Sequence, residues 1–403
     1  MYRYKWPHIT QATKKAVQRQ LDTEEISIYD GSGIFTVFEA AYATSLGRKY
    51  ALVVSSGTAA LHTAMVAAGF GPDDEVICPA YTFFASVTPI FQTGAVPILC
   101  DAQADGNIDP RKIEALVTPK TKAVLVTHMW GMPCDMDAIV KLCKRHSLTL
   151  IEDCSHAHGA IYKGKPVGFH GDIAVFSLQG QKIVTGGEGG ILLTDSTEFY
   201  ERSLLFGQYN KRCKQEIRPQ SPYYEYATTG FGLKLRAHPF AVAMANEQFQ
   251  HLPEWHTTKQ RHARYLNERL AAYDQLVLPV PRHRNDEPSW YAYTFRIKPG
   301  ALTLSTQEFC AKLNKAGLVE ADIPGSTCPL NLLKLFQAPA VLFPAYKGKV
   351  AYRPGDFPMA EAFYASAIKL PIDVYDTAEY RAVLDEYVSI IADVLGRYRK
   401  RPA

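Results

Sequence analysis

Residues 123–153 read AVLVTHMWGMPCDMDAIVKLCKRHSLTLIED. The stretch begins with an unbroken apolar run at residues 123–126, which is typical of a strand covered on both faces. Residues 136–145 have a helical pattern, and residues 148–153 predict the next strand. A strand, a helix and a second strand in this order predict two parallel strands joined by a right-handed crossover.

The same alternation of apolar runs and helical patterns extends from about residue 49 to residue 195. The predicted strands are 50–55, 75–80, 96–101, 123–128, 148–153, 173–178 and 190–194, and the predicted helices between them are 58–68, 83–92, 110–116 and 136–145. We therefore expect an α/β fold with a mostly parallel sheet flanked by helices. The last strands follow one another without long helices, which allows an antiparallel strand among them.

The pattern changes after residue 206. Residues 208–229 are polar and aromatic and predict a long surface loop, while residues 239–251 have a helical pattern. Beyond about residue 254, a strand at 292–297 and helices at 305–316 and 377–398 predict a smaller α/β unit. We expect a large domain over residues 1–250 and a small C-terminal α/β domain over residues 251–403.

The composition is that of an ordinary globular protein, since 47% of the 403 residues are hydrophobic and 21% are charged. A net charge of +4 gives no reason to expect nucleic acid as a partner. No apolar stretch reaches membrane-spanning length, and the first eight residues lack the apolar segment of a secretory signal. The eight cysteines form no CxxC pair. We expect a cytoplasmic protein with reduced thiols and no membrane contact.

The first candidate site is the stretch SSGTAAL at residues 55–61, which follows a strand and opens a helix. Free backbone N–H groups at such a turn, together with the positive end of the helix dipole, bind anions. The alternative is a plain helix N-cap, which Ser and Thr also supply. The sequence contains no GxxxxGK[ST] motif and no GxGxxG after a strand, so it predicts neither a Walker A loop nor a Rossmann fingerprint.

The second candidate site is LIEDCSHAHGA at residues 150–160. Asp153 ends a predicted parallel strand, and open α/β sheets bind ligands beyond those ends. The alternatives are a helix cap, or a metal site built from His156 and His158. A lone HxH lacks the further ligands that zinc needs, so we expect no metal.

The third candidate site is FSLQGQK at residues 176–182, followed by GGEGG at residues 186–190. It places Lys182 between a buried strand and a glycine cluster. The alternatives are a solvated lysine and glycines that simply form a tight turn.

A phosphate turn, an acid and a lysine in this order are the parts that a pyridoxal 5'-phosphate (PLP) site requires. The sequence here resembles the DegT-type family of nucleotide-sugar and secondary-metabolite aminotransferases, which have the aspartate-aminotransferase fold type I. The resemblance covers nearly the whole chain. The matching segments are residues 55–61, 79–83, 128–131 with 135–137, 152–160 and 176–190.

The resemblance implies a role for each matching residue. Lys182 matches the lysine that forms a Schiff base with PLP and then carries the proton in the reaction. Asp153 matches the acid that keeps the pyridine nitrogen protonated. Gly57 and Thr58 match the backbone that receives the phosphate, and Ser177 matches a side-chain ligand of the phosphate.

Three further positions follow from the same resemblance. Phe83 matches an aromatic residue that stacks on the cofactor ring, and His156 matches a position beside the phenolic oxygen that is often Gln in relatives. Relatives commonly have Asn in a Gly-x-Asn-x-Arg segment that reaches the phosphate of the partner subunit. This sequence has Lys234 at that position, in GLKLR at residues 232–236. The resemblance implies a homodimer with shared active sites, and Lys234 leaves a nucleotide-sugar substrate open.

The expected function is transfer of an amino group from glutamate or glutamine to a keto-sugar, cyclitol or other secondary-metabolite ketone. The alternatives are elimination or deoxygenation by the same fold, and a non-catalytic regulator. Deoxygenating relatives can replace the lysine by His, so Lys182 favours amino transfer. Residues 28–34, 208–229 and 321–333 are the expected walls of the substrate pocket.

Overall fold

The computed structural model describes residues 6–400 as an α/β protein with helices packed on both faces of its main sheet. The strands are β1 Tyr50–Val54, β2 Glu75–Pro79, β3 Tyr81–Phe83, β4 Val96–Cys100, β5 Thr121–Thr127, β6 Thr149–Asp153, β7 Ile161–Tyr162, β8 Lys165–Pro166, β9 Ile173–Ser177, β10 Gly190–Thr194, β11 Leu276–Val277, β12 Tyr293–Ile297, β13 Thr327–Pro329 and β14 Ala367–Leu370.

The helices connect and cover these strands. They are α1 Gln11–Asp22, α2 Ile34–Leu46, α3 Gly57–Ala68, α4 Thr88–Thr93, α5 Pro110–Ile113, α6 Met136–His146, α7 Thr197–Gly207, α8 Lys211–Glu216, α9 Pro239–Phe249, α10 Leu252–Leu270, α11 Thr306–Lys315, α12 Lys334–Gln337, α13 Pro358–Ser366 and α14 Ala378–Tyr398. Short 3-10 turns lie at Phe84–Ser86, Glu114–Leu116, Met129–Gly131, Tyr224–Tyr226, Leu330–Leu332, Pro339–Val341 and Pro344–Tyr346. None of the helices within residues 6–400 is both long and apolar enough to cross a bilayer.

The main sheet has seven strands in the order β1-β10-β9-β6-β5-β2-β4. The pairs from β9 to β4 are parallel, and β10 is antiparallel to both of its neighbours. The expected mostly parallel sheet is therefore confirmed, and the antiparallel strand is β10. The carboxyl ends of all the other strands meet at one edge of the sheet.

Both faces of the sheet are buried, as the unbroken apolar runs predict. In β5, Ala123 and Leu125 pack into the core on one face, and Val124 and Val126 pack into the core on the other. A third core lies on the separate antiparallel sheet β11-β12-β14, against α10, α11 and α14. This third core belongs to the C-terminal part of the chain.

The helix predicted at residues 83–92 is wrong over its first half. Residues 81–83 are extended because they pair with β13, and Pro89 is tolerated only in the first turn of a helix, so α4 begins at Thr88. The loop predicted at residues 208–229 is also partly wrong, because it contains α8. The Arg212 side chain fixes this short helix by donating to Glu39 at 2.7 Å and to Glu216 at 2.9 Å.

Candidate active site

A cavity of about 1130 Å³ opens at the carboxyl edge of the parallel strands. Its wall includes seven of the eight residues singled out from the sequence: Gly57, Thr58, Phe83, Asp153, His156, Ser177 and Lys182. The eighth, Lys234, is exposed and does not line the cavity within one subunit. Of the expected pocket walls, only the beginning of residues 321–333 contributes to the cavity of the same subunit.

The turn between β1 and α3 forms one end of the cavity. Ser56 caps α3 by accepting a hydrogen bond from the Ala59 N–H at 3.0 Å, which leaves the N–H groups of Gly57 and Thr58 without a partner inside the helix. A Cβ atom at Gly57 would lie 2.7 Å from the Ser177 Cβ atom, so only glycine fits there. The N-terminus of a twelve-residue helix and the Ser177 hydroxyl therefore form a cradle for an anion.

Asp153 ends β6 in the middle of the sheet and is 3% exposed. Ser86 Oγ donates to its Oδ2 at 2.6 Å, and the Ser155 N–H donates to its Oδ1 at 3.0 Å. Ser86 is in turn hydrogen-bonded to Thr82 at 3.0 Å. These contacts fix the carboxylate at the base of the cavity, next to Lys182.

Lys182 lies on the loop after β9, with its backbone held at both ends. The Lys182 N–H donates to the Gln179 carbonyl, and the Lys182 carbonyl accepts a hydrogen bond from the Trp6 indole N–H at 3.0 Å. The Nζ atom lies 4.6 Å from the centre of the Tyr291 ring. Burial lowers the Lys182 pKa from 10.5 to about 8, and the charge of Asp153 opposes this shift. About a tenth of the amine is therefore uncharged and nucleophilic at pH 7, far more than for a lysine with the ordinary pKa.

His156 stacks on the ring of Tyr291. Its ring is 4.0 Å from the Tyr291 ring with an interplanar angle of 7°. Burial, and next the charge of Lys182, hold the His156 pKa well below its ordinary value. The Nδ1 atom is buried and has no hydrogen-bond partner within residues 6–400. A neutral imidazole with an unpaired nitrogen fits a hydroxyl group of a bound ligand.

His158 does not line the cavity and instead hydrogen-bonds to the backbone of Ser177. Its Nε2 donates to the Ser177 carbonyl at 2.8 Å, so its Nδ1 accepts from the Tyr42 hydroxyl, also at 2.8 Å. Burial lowers the His158 pKa to about 3, which keeps this arrangement neutral. Because both nitrogens are used, His158 supports Ser177 and leaves no lone pair for a metal with His156.

A second group of possible metal ligands lies behind β6, at His128, Glu152 and Cys154. The His128 Nδ1 accepts from the Cys134 N–H at 3.0 Å, so its Nε2 donates to Glu152 at 3.1 Å. Glu152 also accepts from the Gly168 N–H at 2.9 Å. These bonds give the group a structural explanation without a metal ion.

The comparisons with known proteins decide the family. A model of the DegT/DnrJ/EryC1/StrS aminotransferase family matches residues 7–385. The chain belongs to this family. It is a PLP-dependent aminotransferase of fold type I.

Two curated relatives of this aminotransferase are named after a sugar nucleotide and a cyclitol. GDP-perosamine synthase of Caulobacter vibrioides is 36% identical over 290 residues, covering 71% of this chain and 75% of that protein. L-glutamine:2-deoxy-scyllo-inosose aminotransferase of Streptomyces lividus is 34% identical over 308 residues, covering 74% of this chain and 72% of that protein. The solved aminotransferase of Psychrobacter cryohalolentis has a TM-score of 0.85 and 27% identity, with 98% of this chain and 99% of that chain covered.

The cavity of this aminotransferase fits PLP. The anion cradle at Gly57 suits the phosphate, the unpaired Nδ1 atom of His156 suits the phenolic oxygen, and the Asp153 carboxylate suits a protonated pyridine nitrogen. The sequence alone does not indicate Ser86, Tyr291 or Trp6. The Ser86 hydroxyl lies 67 positions from Asp153, and Trp6 lies 176 positions from Lys182, so no local pattern signals these contacts.

Proposed function

We propose that this aminotransferase moves an amino group from glutamate or glutamine to a keto-sugar, cyclitol or other secondary-metabolite ketone, with Lys182 as the lysine that binds PLP covalently. The observation that carries the proposal is the buried Lys182 amine, which shares a cavity with Asp153 and has a pKa of about 8. The printed names of the perosamine synthase and the scyllo-inosose aminotransferase support the substrate class. The glutamine in the second name supports the donor.

Each cavity residue has a task in this proposal. The N–H groups of Gly57 and Thr58 and the Ser177 hydroxyl bind the cofactor phosphate. Asp153 keeps a proton on the pyridine nitrogen, and Ser86 orients Asp153. The positions next to the phenolic oxygen and over the ring belong to His156 and Phe83. The Phe83 ring is 37% exposed at the cavity wall, which leaves it free to stack on a ligand.

PLP, when bound, supplies an electron sink for the negative charge that develops on the substrate carbon. Lys182 would hold the cofactor covalently in the resting enzyme. When it is not bonded to the cofactor, its amine would accept the proton from the substrate carbon that carries the amino group and would return it to the neighbouring carbon of the cofactor. A pKa of about 8 suits both roles, because part of the amine is uncharged and nucleophilic near neutral pH and because the group can both accept and release a proton there.

The test is to trap the cofactor and to follow its colour. The purified enzyme should be yellow, and borohydride reduction followed by peptide mapping should attach PLP to Lys182. Addition of glutamine or glutamate should bleach the visible absorbance without any acceptor present. Labelling of another lysine would overturn the assignment of Lys182, and an unchanged spectrum with every amino acid would overturn the aminotransferase reaction.

We also propose a homodimer in which Lys234 contacts the PLP phosphate of the partner subunit. The cradle at Gly57 offers hydrogen bonds and a helix dipole, but a phosphate dianion also calls for a full positive charge. Lys234 is exposed, and the next residue, Leu235, accepts a hydrogen bond from the Ser55 N–H at 2.7 Å, so the segment runs beside the phosphate turn of its own subunit. A contact in cis is therefore the competing arrangement.

A mixed dimer separates the two arrangements. A Lys182→Ala subunit is paired with a Lys234→Ala subunit, and the PLP affinity of the site that retains Lys182 is measured by absorbance. If Lys234 acts in trans, that site keeps the affinity of the wild type. Weak binding there indicates action in cis, and a Lys234→Ala homodimer with unchanged affinity would show that the residue has no cofactor role.

The domain division and the location are further proposals. The seven-stranded sheet and the three-stranded sheet support a large domain over residues 1–250 and a small domain over residues 251–403. All eight cysteines are buried free thiols, which supports a reducing, cytoplasmic environment. Limited proteolysis near residue 250 and thiol titration of protein isolated under non-reducing conditions test these two statements.

A further inference from the structure

The outer wall of the cavity is formed by the small-sheet side of the molecule. Residues 319–322, 324–327 and 369–371 line it, together with Glu188 from the glycine cluster. Lys182, Asp153, His156 and Ser177 are buried, whereas Glu188 and Val319 of the outer wall are exposed. The outer wall is therefore the part of the cavity that an acceptor substrate contacts.

The cation of this outer wall, Lys369, is already paired. Its Nζ atom lies 2.6 Å from the Asp322 carboxylate. The backbones of the two residues are also joined by a bridge, with hydrogen bonds of 2.7 Å and 3.1 Å in opposite directions. The bridge keeps the two charges side by side, so Lys369 contributes little net positive potential to the cavity mouth.

The rest of the outer wall is acidic. Among the described residues that line the cavity, the carboxylates are Asp153, Glu188, Glu320 and Asp322, the lysines are Lys182 and Lys369, and there is no arginine. Lys182 is committed to the cofactor, whose phosphate adds further negative charge. Glu188 and Glu320 therefore line the outer wall, and among the described residues of that wall no unpaired cation balances their charge.

We propose that the acceptor is an uncharged polyhydroxy ketone, of the cyclitol or free-sugar type, and that Glu188 and Glu320 exclude ketones linked to a nucleoside diphosphate. This inference rests on the proposed amino transfer. A diphosphate needs cations or clustered N–H donors, and carboxylates at the mouth repel it. Carboxylates accept hydrogen bonds from hydroxyl groups, so the same wall attracts a polyol.

The first experiment compares two acceptors on one enzyme form. The holoenzyme is converted with glutamine, the excess donor is removed, and the return of the visible absorbance is followed with 2-ketoinositol or with dTDP-4-keto-6-deoxyglucose. We expect the absorbance to return with the inositol ketone and to stay low with the nucleotide-linked ketone. The reverse preference would overturn the inference while leaving the amino transfer intact. Failure of the donor step with both glutamine and glutamate would instead overturn the proposed function.

The second experiment measures the charge effect without catalysis. Binding of dTDP alone to the holoenzyme is measured by equilibrium dialysis for the wild type, for the double variant Glu188→Gln/Glu320→Gln and for Glu386→Gln, which changes an exposed acid on α14. We expect weak binding to the wild type and to Glu386→Gln, and affinity higher by about tenfold in the double variant. Micromolar binding of dTDP to the wild type, for example through a cation of the partner subunit, would overturn the inference. Equal binding by the double variant and the control would also overturn the role of the two acids.

Discussion

Lys182 and Lys259 are two buried lysines in different surroundings. Lys182 is 9% exposed and Lys259 is 4% exposed, and burial lowers their pKa values to about 8 and about 7. The lysine with the lower pKa is the one outside the cavity, in the middle of α10. A lowered pKa alone therefore does not mark a catalytic lysine in this molecule. The neighbouring residues distinguish the two lysines, because Lys182 faces Asp153 and Tyr291 at the edge of the sheet.

The largest expected effect separates the two lysines by turnover. Lys182→Ala should lose about 10⁴-fold in kcat, because it removes the general base and the covalent link to PLP. Lys259→Met should keep kcat within about twofold, since Lys259 does not line the cavity. Steady-state transamination with glutamine checks both variants. Equal losses in both would mean that burial, rather than the site, makes a lysine essential here.

The second prediction concerns Asp153, the carboxylate that lies near Lys182 and has no counterpart near Lys259 among the described residues. Asp153→Asn should retain PLP but lose about a hundredfold in turnover, which corresponds to about 2.7 kcal/mol of barrier, because a neutral ring is a poorer electron sink. The measurement is kcat at PLP saturation, with the cofactor content determined from absorbance. Asp137→Asn, at an exposed carboxylate on α6, is the control and should be close to wild type. Near-normal turnover of Asp153→Asn would show that turnover does not depend on Asp153 keeping the pyridine nitrogen protonated.

The main sheet and the residues at the ends of its strands can be predicted from the sequence. The seven strands of the main sheet follow from unbroken apolar runs, because strands covered on both faces carry their signal locally. Asp153 and Ser177 come directly at the ends of such strands, so their meeting at one edge of the sheet could be expected. Their roles, like that of Lys182, stay predictions.

The remaining contacts depend on packing between distant parts of the chain. The Tyr42 hydroxyl reaches His158 across 116 positions, and residues 81–83 are held extended by β13. The burial of Lys259 is of the same kind, since α10 packs against the third core. Propensity and periodicity describe neighbours along the chain, so they do not indicate these contacts.

Lys259→Met should have the smallest effect on turnover. Its effect on the free energy of unfolding should depend on pH. The pKa of Lys259 is about 7, against 10.5 for an ordinary lysine, and burial is the cause. Below pH 7 the amine is protonated in the folded and the unfolded chain, so folding buries a charge. Between about pH 7 and pH 10.5 the unfolded chain binds more protons, so this group makes the free energy of unfolding rise with pH.

Methionine has a similar length and no charge, so Lys259→Met should remove this cost. Within residues 6–400 no ion pair to the Lys259 ammonium is present, so its removal leaves no carboxylate unpaired. One pKa unit corresponds to about 1.4 kcal/mol, so the gain at pH 6 should amount to a few kcal/mol and should shrink towards pH 10. Tm of the holoenzyme at both pH values measures the change, with Lys141→Met at an exposed site of α6 as the control. A lower Tm at pH 6, or a gain that does not depend on pH, would show that the ammonium is stabilised in the folded protein and would remove the contrast with Lys182.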